Sequence, residues 1–202
     1  MIYKINAPGV IHTNDHFDTD EDDFEGELVR FRMIIHMHEK ARGASRRSLR
    51  EVCVSYLKFS PQADRLINEL ILECTKLKSP DRLDLAIDIL QELGDALYDY
   101  AFKFFQCDVT QWNYLLPGRT YEPDDDYWYI LLRSVARSSI DDSKKLSFVW
   151  SCRETSHRGV LEGLVEALGD IGSAAAMEKL GILSRHEDNF IAQLAHEVLK
   201  DQ

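Results

Sequence analysis

Residues 156–200 read SHRGVLEGLVEALGDIGSAAAMEKLGILSRHEDNFIAQLAHEVLK, and this stretch decides the fold class. Its apolar residues recur three and four positions apart, which is the spacing of one face of an α-helix. Turn signals divide the stretch into three predicted helices, at 156–171, 173–184 and 188–199. A single helix pair cannot bury its apolar stripe alone, so neighbouring pairs must stack on one another.

The same helical spacing extends upstream to Phe24. Ser-Pro pairs and glycines mark helix starts and ends in this part of the chain. The predicted helices cover 24–42, 45–59, a stretch from Ser60-Pro61 through Cys74, 81–93, 95–106, 127–138 and 142–150. Two segments depart from the pattern: an acidic N-terminal segment, 1–23, and a proline-containing stretch, 108–126, which we expect to be a long loop.

A repeat is visible in the pattern. Residues 90–95, LQELGD, resemble residues 165–170, VEALGD, at an offset of 75 residues. Alternate helices are expected to start near Arg46, Asp81, Tyr127, Ser156 and Asp188, at intervals of about 35, 46, 29 and 32 residues. Only the interval that holds the 108–126 loop is long, as expected of an insertion in a helical repeat.

On these residues the chain resembles HEAT-repeat proteins, best over 156–200 and more weakly over 61–95. It departs from the family pattern at Ile191-Ala192, where a Val-Arg pair is common. The resemblance implies an all-α fold, an α-α superhelix of about five HEAT-like helix pairs over residues 24–202, interrupted by the insertion. It also implies that the second helix of each pair lines the concave face.

Composition limits the function classes. The chain has 202 residues, 45% of them hydrophobic, a formal net charge of −11 and a pI of about 5.1. Nucleic-acid binding is disfavoured because phosphate contacts need clustered Lys and Arg. A basic protein partner fits this charge, and so does an acidic surface that serves solubility alone.

The four cysteines, Cys53, Cys74, Cys107 and Cys152, are far apart and form no CxxC pair. This spacing fits neither a zinc ribbon nor a disulfide framework, which favours a reducing compartment. No signal peptide and no apolar run long enough to span a membrane are evident. We therefore expect a soluble cytoplasmic protein.

Carboxylates recur on two of the predicted second helices. Glu162, Glu166 and Asp170 are spaced by four residues and form one ridge, and Asp84 and Asp88 form a shorter one. On a concave face these ridges would bind a basic partner, and the alternative is a solvated helix surface. Paired carboxylates can also serve as general acid and base, but no apolar pocket that would raise one pKa is evident.

The 108–126 loop is the second candidate site. It and the following helix carry aromatic and acidic residues suited to anchoring and steering a basic partner: Trp112, Tyr114, Tyr121, Asp124, Asp125, Asp126 and Trp128. Alternatively, the aromatic residues pack the loop onto its own repeats. A short basic cluster around Arg46 could bind an anion, start a solvated helix or pair with the N-terminal acids.

No catalytic, metal or cofactor motif is found. The EF-hand pattern fails at its glycine and glutamate positions, Asp23 and Val29, and His36 and His38 do not share a helix face. We therefore predict a non-enzymatic protein-protein interaction module, such as an immunity protein that masks a basic toxin. Finding the acidic ridges buried or neutralised by internal arginines would contradict it. The alternative is a HEAT-like lyase or chromophore-handling accessory protein, which needs a pocket and a reactive Cys or His.

Overall fold

The computed structural model describes residues 21–76, 80–106, 125–154 and 157–201. All regular structure in these ranges is helical, which confirms the all-α fold class. The ten α-helices are α1 Glu21–Lys40, α2 Ala44–Phe59, α3 Ala63–Thr75, α4 Pro80–Leu90, α5 Asp95–Gln106, α6 Asp125–Arg137, α7 Asp142–Ser151, α8 Arg158–Ile171, α9 Ala174–Leu183 and α10 Asn189–Lys200. Short 3-10 turns, Gln91–Leu93 and Cys152–Glu154, follow α4 and α7.

Local signals in the sequence explain these boundaries. The side chains of Asp141, Ser173 and Asp188 accept hydrogen bonds from backbone N–H groups in the first turns of α7, α9 and α10. Gly94 after α4 and Gly172 after α8 have φ angles of 56° and 64°, a region that residues with a side chain rarely adopt. These caps and glycines allowed most helix ends to be predicted within two residues.

The start of α6 corrects one prediction. The insertion was expected to reach residue 126, but Asp125 and Asp126 lie in the first turn of α6. Carboxylates are favourable there because they face the partial positive charge at a helix N-terminus. The remainder of the predicted insertion and the acidic segment 1–20 lie outside the described residues.

The two LQELGD-like segments are not equivalent in structure. Gly94 ends the helical stretch after α4 with a positive φ, whereas Gly169 lies inside α8, which continues to Ile171. The glycine that follows the end of α8 with a positive φ is Gly172. The sequence match therefore locates two helix ends but is out of register by three residues.

Consecutive helices pack in pairs: α1 with α2, α3 with α4, α5 with α6, α7 with α8, and α9 with α10. The second helices of these pairs also contact one another in order, α2 to α4 to α6 to α8 to α10. Buried apolar residues from Phe24 to Ala195 form one continuous cluster through all of these pairs. The row of second helices is the frame on which the candidate site residues are placed.

Two glycines allow α6 and α8 to approach closely. A Cβ built on Gly163 would lie 3.1 Å from Tyr129 Cα and 3.2 Å from Leu132 Cδ1. A Cβ on Gly159 would overlap the side chain of Asp125. The close approach of α6 therefore explains why Gly159 and Gly163 lie inside α8.

Candidate protein-binding surface

The acidic ridge of α8 faces arginines of α6. Arg133 donates to both carboxylate oxygens of Asp170, from Nε to Oδ2 at 2.6 Å and from Nη2 to Oδ1 at 2.9 Å. Arg137 Nε donates to Oδ1 of the same carboxylate at 3.1 Å. The carboxylate of Asp170 is thus used inside the molecule, and the side chain is only 14% exposed.

The contact with Asp170 also changes the pKa of Arg133. Burial opposes the charged guanidinium, but the hydrogen bonds and charge of Asp170 outweigh it and raise the pKa of Arg133. Arg133 also donates to the hydroxyl of Tyr129 and lies 3.9 Å from Glu166. Asp170 and, in part, Glu166 are therefore neutralised by an internal arginine, which corrects the prediction of a free ridge over their length.

Glu162, at the N-terminal end of the ridge, has other carboxylates among its neighbours. Burial is the first cause that raises the pKa of Glu162, and the charges of Asp125 and Asp188 add to it, while Arg158 opposes it. Asp125 begins α6, Glu162 lies in α8 and Asp188 caps α10, so three consecutive second helices bring these carboxylates within electrostatic reach. We call Asp125, Glu162 and Asp188 the acidic cluster.

One cation lies beside the acidic cluster. Arg158 Nε is 3.2 Å from Glu162 Oε1, and the guanidinium also lies 3.9 Å from the centre of the Phe190 ring. Asp188 directs one oxygen to the N–H of Phe190 at 2.8 Å as the cap of α10. Asp125 and Glu162 were predicted from the sequence as binding residues, but Asp188 was not. Its position near them depends on how separate helices pack.

The shorter ridge, Asp84 and Asp88, lies on α4. Asp84 is exposed. Asp88 is half-buried and interacts electrostatically with the buried His38 of α1. Among the described residues, Asp84 has no hydrogen bond or ion pair, so its carboxylate remains available on the surface.

Trp128 is a core residue and not a surface anchor, which corrects its assignment to the binding surface. Its side chain is 8% exposed and packs against Phe104 and Phe105, with ring centres 5.4 and 5.9 Å apart. Asp126, in the same turn, is half-buried and has an interaction partner. The other loop residues of the predicted site, Trp112, Tyr114, Tyr121 and Asp124, lie outside the described residues.

The described residues offer little to support catalysis. Burial raises the pKa of the Cys53 and Cys152 thiols to about 12, so neither is a thiolate at neutral pH. A groove of about 630 Å³ along α10 is open to solvent and contains one histidine, His196, and no cysteine. In the part of the chain that the structure describes, no three His, Cys, Asp or Glu side chains converge on a possible metal position.

Among the described helices, none is both long and apolar enough to span a membrane. No protein-family model matches the chain, and no curated protein or solved structure matches it.

Proposed function

We propose that this chain is a non-enzymatic protein-binding module, built as a HEAT-like α-superhelix, that binds a basic partner protein. The order of contacts along the second helices supports the superhelix, because stacked helix pairs place alternate helices in one row. The ion pairs of Asp170 and Glu166 with Arg133 count against a surface built from the whole α8 ridge, so these two carboxylates are assigned to the scaffold. The N-terminal halves of α4, α6, α8 and α10 supply the binding surface.

The acidic cluster is the observation that carries the proposal. Glu162 has a raised pKa because burial and two neighbouring carboxylates disfavour its charge, and Arg158 is the one cation among the described residues that opposes this shift. Like charges held together cost stability, so three neighbouring carboxylates of which Glu162 alone has an ion pair within the described ranges are a candidate functional position. A Lys or Arg of a partner would relieve the repulsion on binding.

The exposed Asp84 on α4 extends this surface toward the N-terminal half of the row. The formal net charge of −11 would steer a basic partner toward the chain and make association dependent on salt. Trp112, Tyr114, Tyr121 and Asp124 lie outside the described residues and remain predicted contacts of the partner. A sharper form of the proposal is an immunity-type inhibitor that masks a basic toxin surface.

The test is capture of a partner from native lysate by the intact chain and by a cluster variant, Asp125→Asn, Glu162→Gln and Asp188→Asn. These changes remove three charges and keep side-chain size, and Asn at position 188 can still cap α10. A matched control removes three exposed charges away from the cluster, Glu51→Gln, Asp99→Asn and Glu178→Gln. We expect the intact chain and the control to retain a basic protein that the cluster variant loses. Equal retention by all three chains would contradict the assignment of the surface.

A further inference from the structure

Helix α1 has two apolar faces. Its inner face contributes Phe24, Leu28, Phe31 and Ile35 to the core, each at most 8% exposed. Its outer face carries Val29, Met33 and Met37, which are 53%, 56% and 46% exposed. These three residues are spaced by four and form a continuous stripe on the surface, and contiguous exposed apolar surface marks an interface more often than chance placement does.

Charge is distributed unevenly along the same helix. Glu25 is exposed near its N-terminal end, after the sequence Glu21-Asp22-Asp23. Lys40 ends the helix and is exposed, and Arg42 follows two residues later. Neither Lys40 nor Arg42 forms an ion pair with a described carboxylate. Glu25 and Lys40 therefore lie at opposite ends of the apolar stripe. Two exposed arginines lie between these ends, Arg30 and Arg32, and Arg32 is paired with Glu69 and Glu73.

We propose that this face binds a second copy of the chain, with the two α1 helices packed antiparallel about a two-fold axis at Met33. In this arrangement Met33 faces its own copy, and Val29 of each chain faces Met37 of the other. Lys40 of each chain lies opposite Gly26 of the other, beside Glu25. Gly26 is exposed and has no side chain, which leaves room for the stem of the lysine.

Charge complementarity selects this occupant and this orientation. A parallel pair would place Lys40 against Lys40 and Glu25 against Glu25, whereas the antiparallel pair forms two Glu25–Lys40 contacts related by symmetry. An interface of this kind closes as a dimer and does not propagate. Binding of the basic residues of α1 to an anionic membrane is the competing outcome of the test. This interface is separate from the acidic cluster, so the proposal does not depend on the proposed function.

The test is sedimentation velocity of the purified chain over a range of concentrations. We expect a monomer–dimer equilibrium that Met33→Asp weakens by about a hundredfold or more, because two carboxylates then meet at the axis. Ile182→Asp on α9 changes an equally exposed apolar residue, at 51%, and should leave the equilibrium unchanged. Far-UV circular dichroism and thermal melting show that each variant is folded.

Charge reversal tests the orientation. Glu25→Lys and Lys40→Glu should each weaken dimerisation by about tenfold, and the double variant should restore it, because both ion pairs are re-formed with reversed sign. In the oxidised protein, Met33→Cys should form a disulfide between copies, and Ile182→Cys should not. A chain that stays monomeric at every concentration, with or without binding to anionic vesicles, overturns the proposal. A dimer that survives Met33→Asp, or is not restored by the double charge reversal, does so as well.

Discussion

Arg133 of α6 and Asp170 of α8 are joined by two hydrogen bonds, at 2.6 and 2.9 Å. Their side chains are 13% and 14% exposed. The contact ties together the two second helices that also approach each other at Gly159 and Gly163. Asp170 belongs to the acidic ridge by its spacing, but its carboxylate stabilises the packing of α6 against α8. This relationship separates the part of the ridge that stabilises the fold from the part that remains for a partner.

We expect Asp170→Ala to lower the free energy of unfolding by about 3 kcal/mol, because it leaves the buried Arg133 without its main counter-charge. Asp99→Ala removes an exposed carboxylate and should change stability by less than about 0.5 kcal/mol. Urea unfolding followed by circular dichroism measures both values. Equal stabilities of the two variants would show that the pair contributes nothing.

The close packing of α6 against Gly163 of α8 can be tested by comparison with Gly181 of α9. Gly163→Ala places a Cβ against the backbone of Tyr129, and we expect a loss of about 1–3 kcal/mol as the two helices are forced apart. Gly181→Ala meets nothing within 4 Å and should gain up to about 1 kcal/mol from helix propensity. A stabilised Gly163→Ala protein in thermal or urea unfolding would contradict the close α6–α8 contact.

His38 makes stability depend on pH. Burial lowers its pKa first, and the charges of Arg46 and Arg50 on α2 lower it further, while Asp88 on α4 opposes them. Because the pKa of the folded state lies below the ordinary value of about 6.5, the unfolded chain binds more protons between these two values. The stability from neutral His38 is therefore fully present above about pH 6.5 and is lost as the pH falls toward the folded-state pKa.

Replacing His38 should remove this component. Its buried Nδ1 has no hydrogen-bond partner among the described residues, so His38→Leu should be as stable as the natural chain or more stable by about 1 kcal/mol at neutral pH. Its stability should fall less between pH 7.5 and 5 than that of the natural chain. Parallel pH profiles of unfolding free energy would show that His38 does not titrate as proposed. His36→Leu, on the exposed side of α1, is the control.

The hydroxyl of Tyr127 joins three helices. It donates to Asn68 Oδ1 of α3 at 2.9 Å and lies 2.7 Å from the hydroxyl of Tyr100 of α5, and all three side chains are buried. We expect Tyr127→Phe to cost about 1–3 kcal/mol, because a buried hydrogen bond is lost without loss of ring volume. Tyr98→Phe on α5 removes the hydroxyl of a half-buried side chain that makes no hydrogen bond with a described residue, and it should cost less. Equal costs in urea unfolding would argue against the buried network.

The helices could be predicted from the sequence because their signals are local. Apolar spacing of three and four residues, capping side chains and terminal glycines act within a few residues, and they located α1 to α10. The side chain of Trp128 was misplaced because the adjacent loop suggested exposure, although its spacing of three and four to Leu131 and Leu132 matches the buried face. Periodicity was in this case the better guide.

The candidate site could be predicted only in part, because ion pairs between helices depend on packing. Glu162 and Asp170 have the same spacing signal, yet one lies beside Asp125 and Asp188 and the other beside Arg133. The difference is decided by which residues of the neighbouring helices face each carboxylate. A single sequence contains no signal that pairs residues of different helices.

The most direct test of the proposed binding surface is amide hydrogen exchange of the chain with and without the basic protein that it captures. The account predicts protection in the first turns of α6, α8 and α10, around Asp125, Glu162 and Phe190, with little change in α1 and α2. It also predicts that the protection disappears in the variant that neutralises the acidic cluster. Protection confined to α1 and α2, or unchanged in that variant, would contradict the central claim.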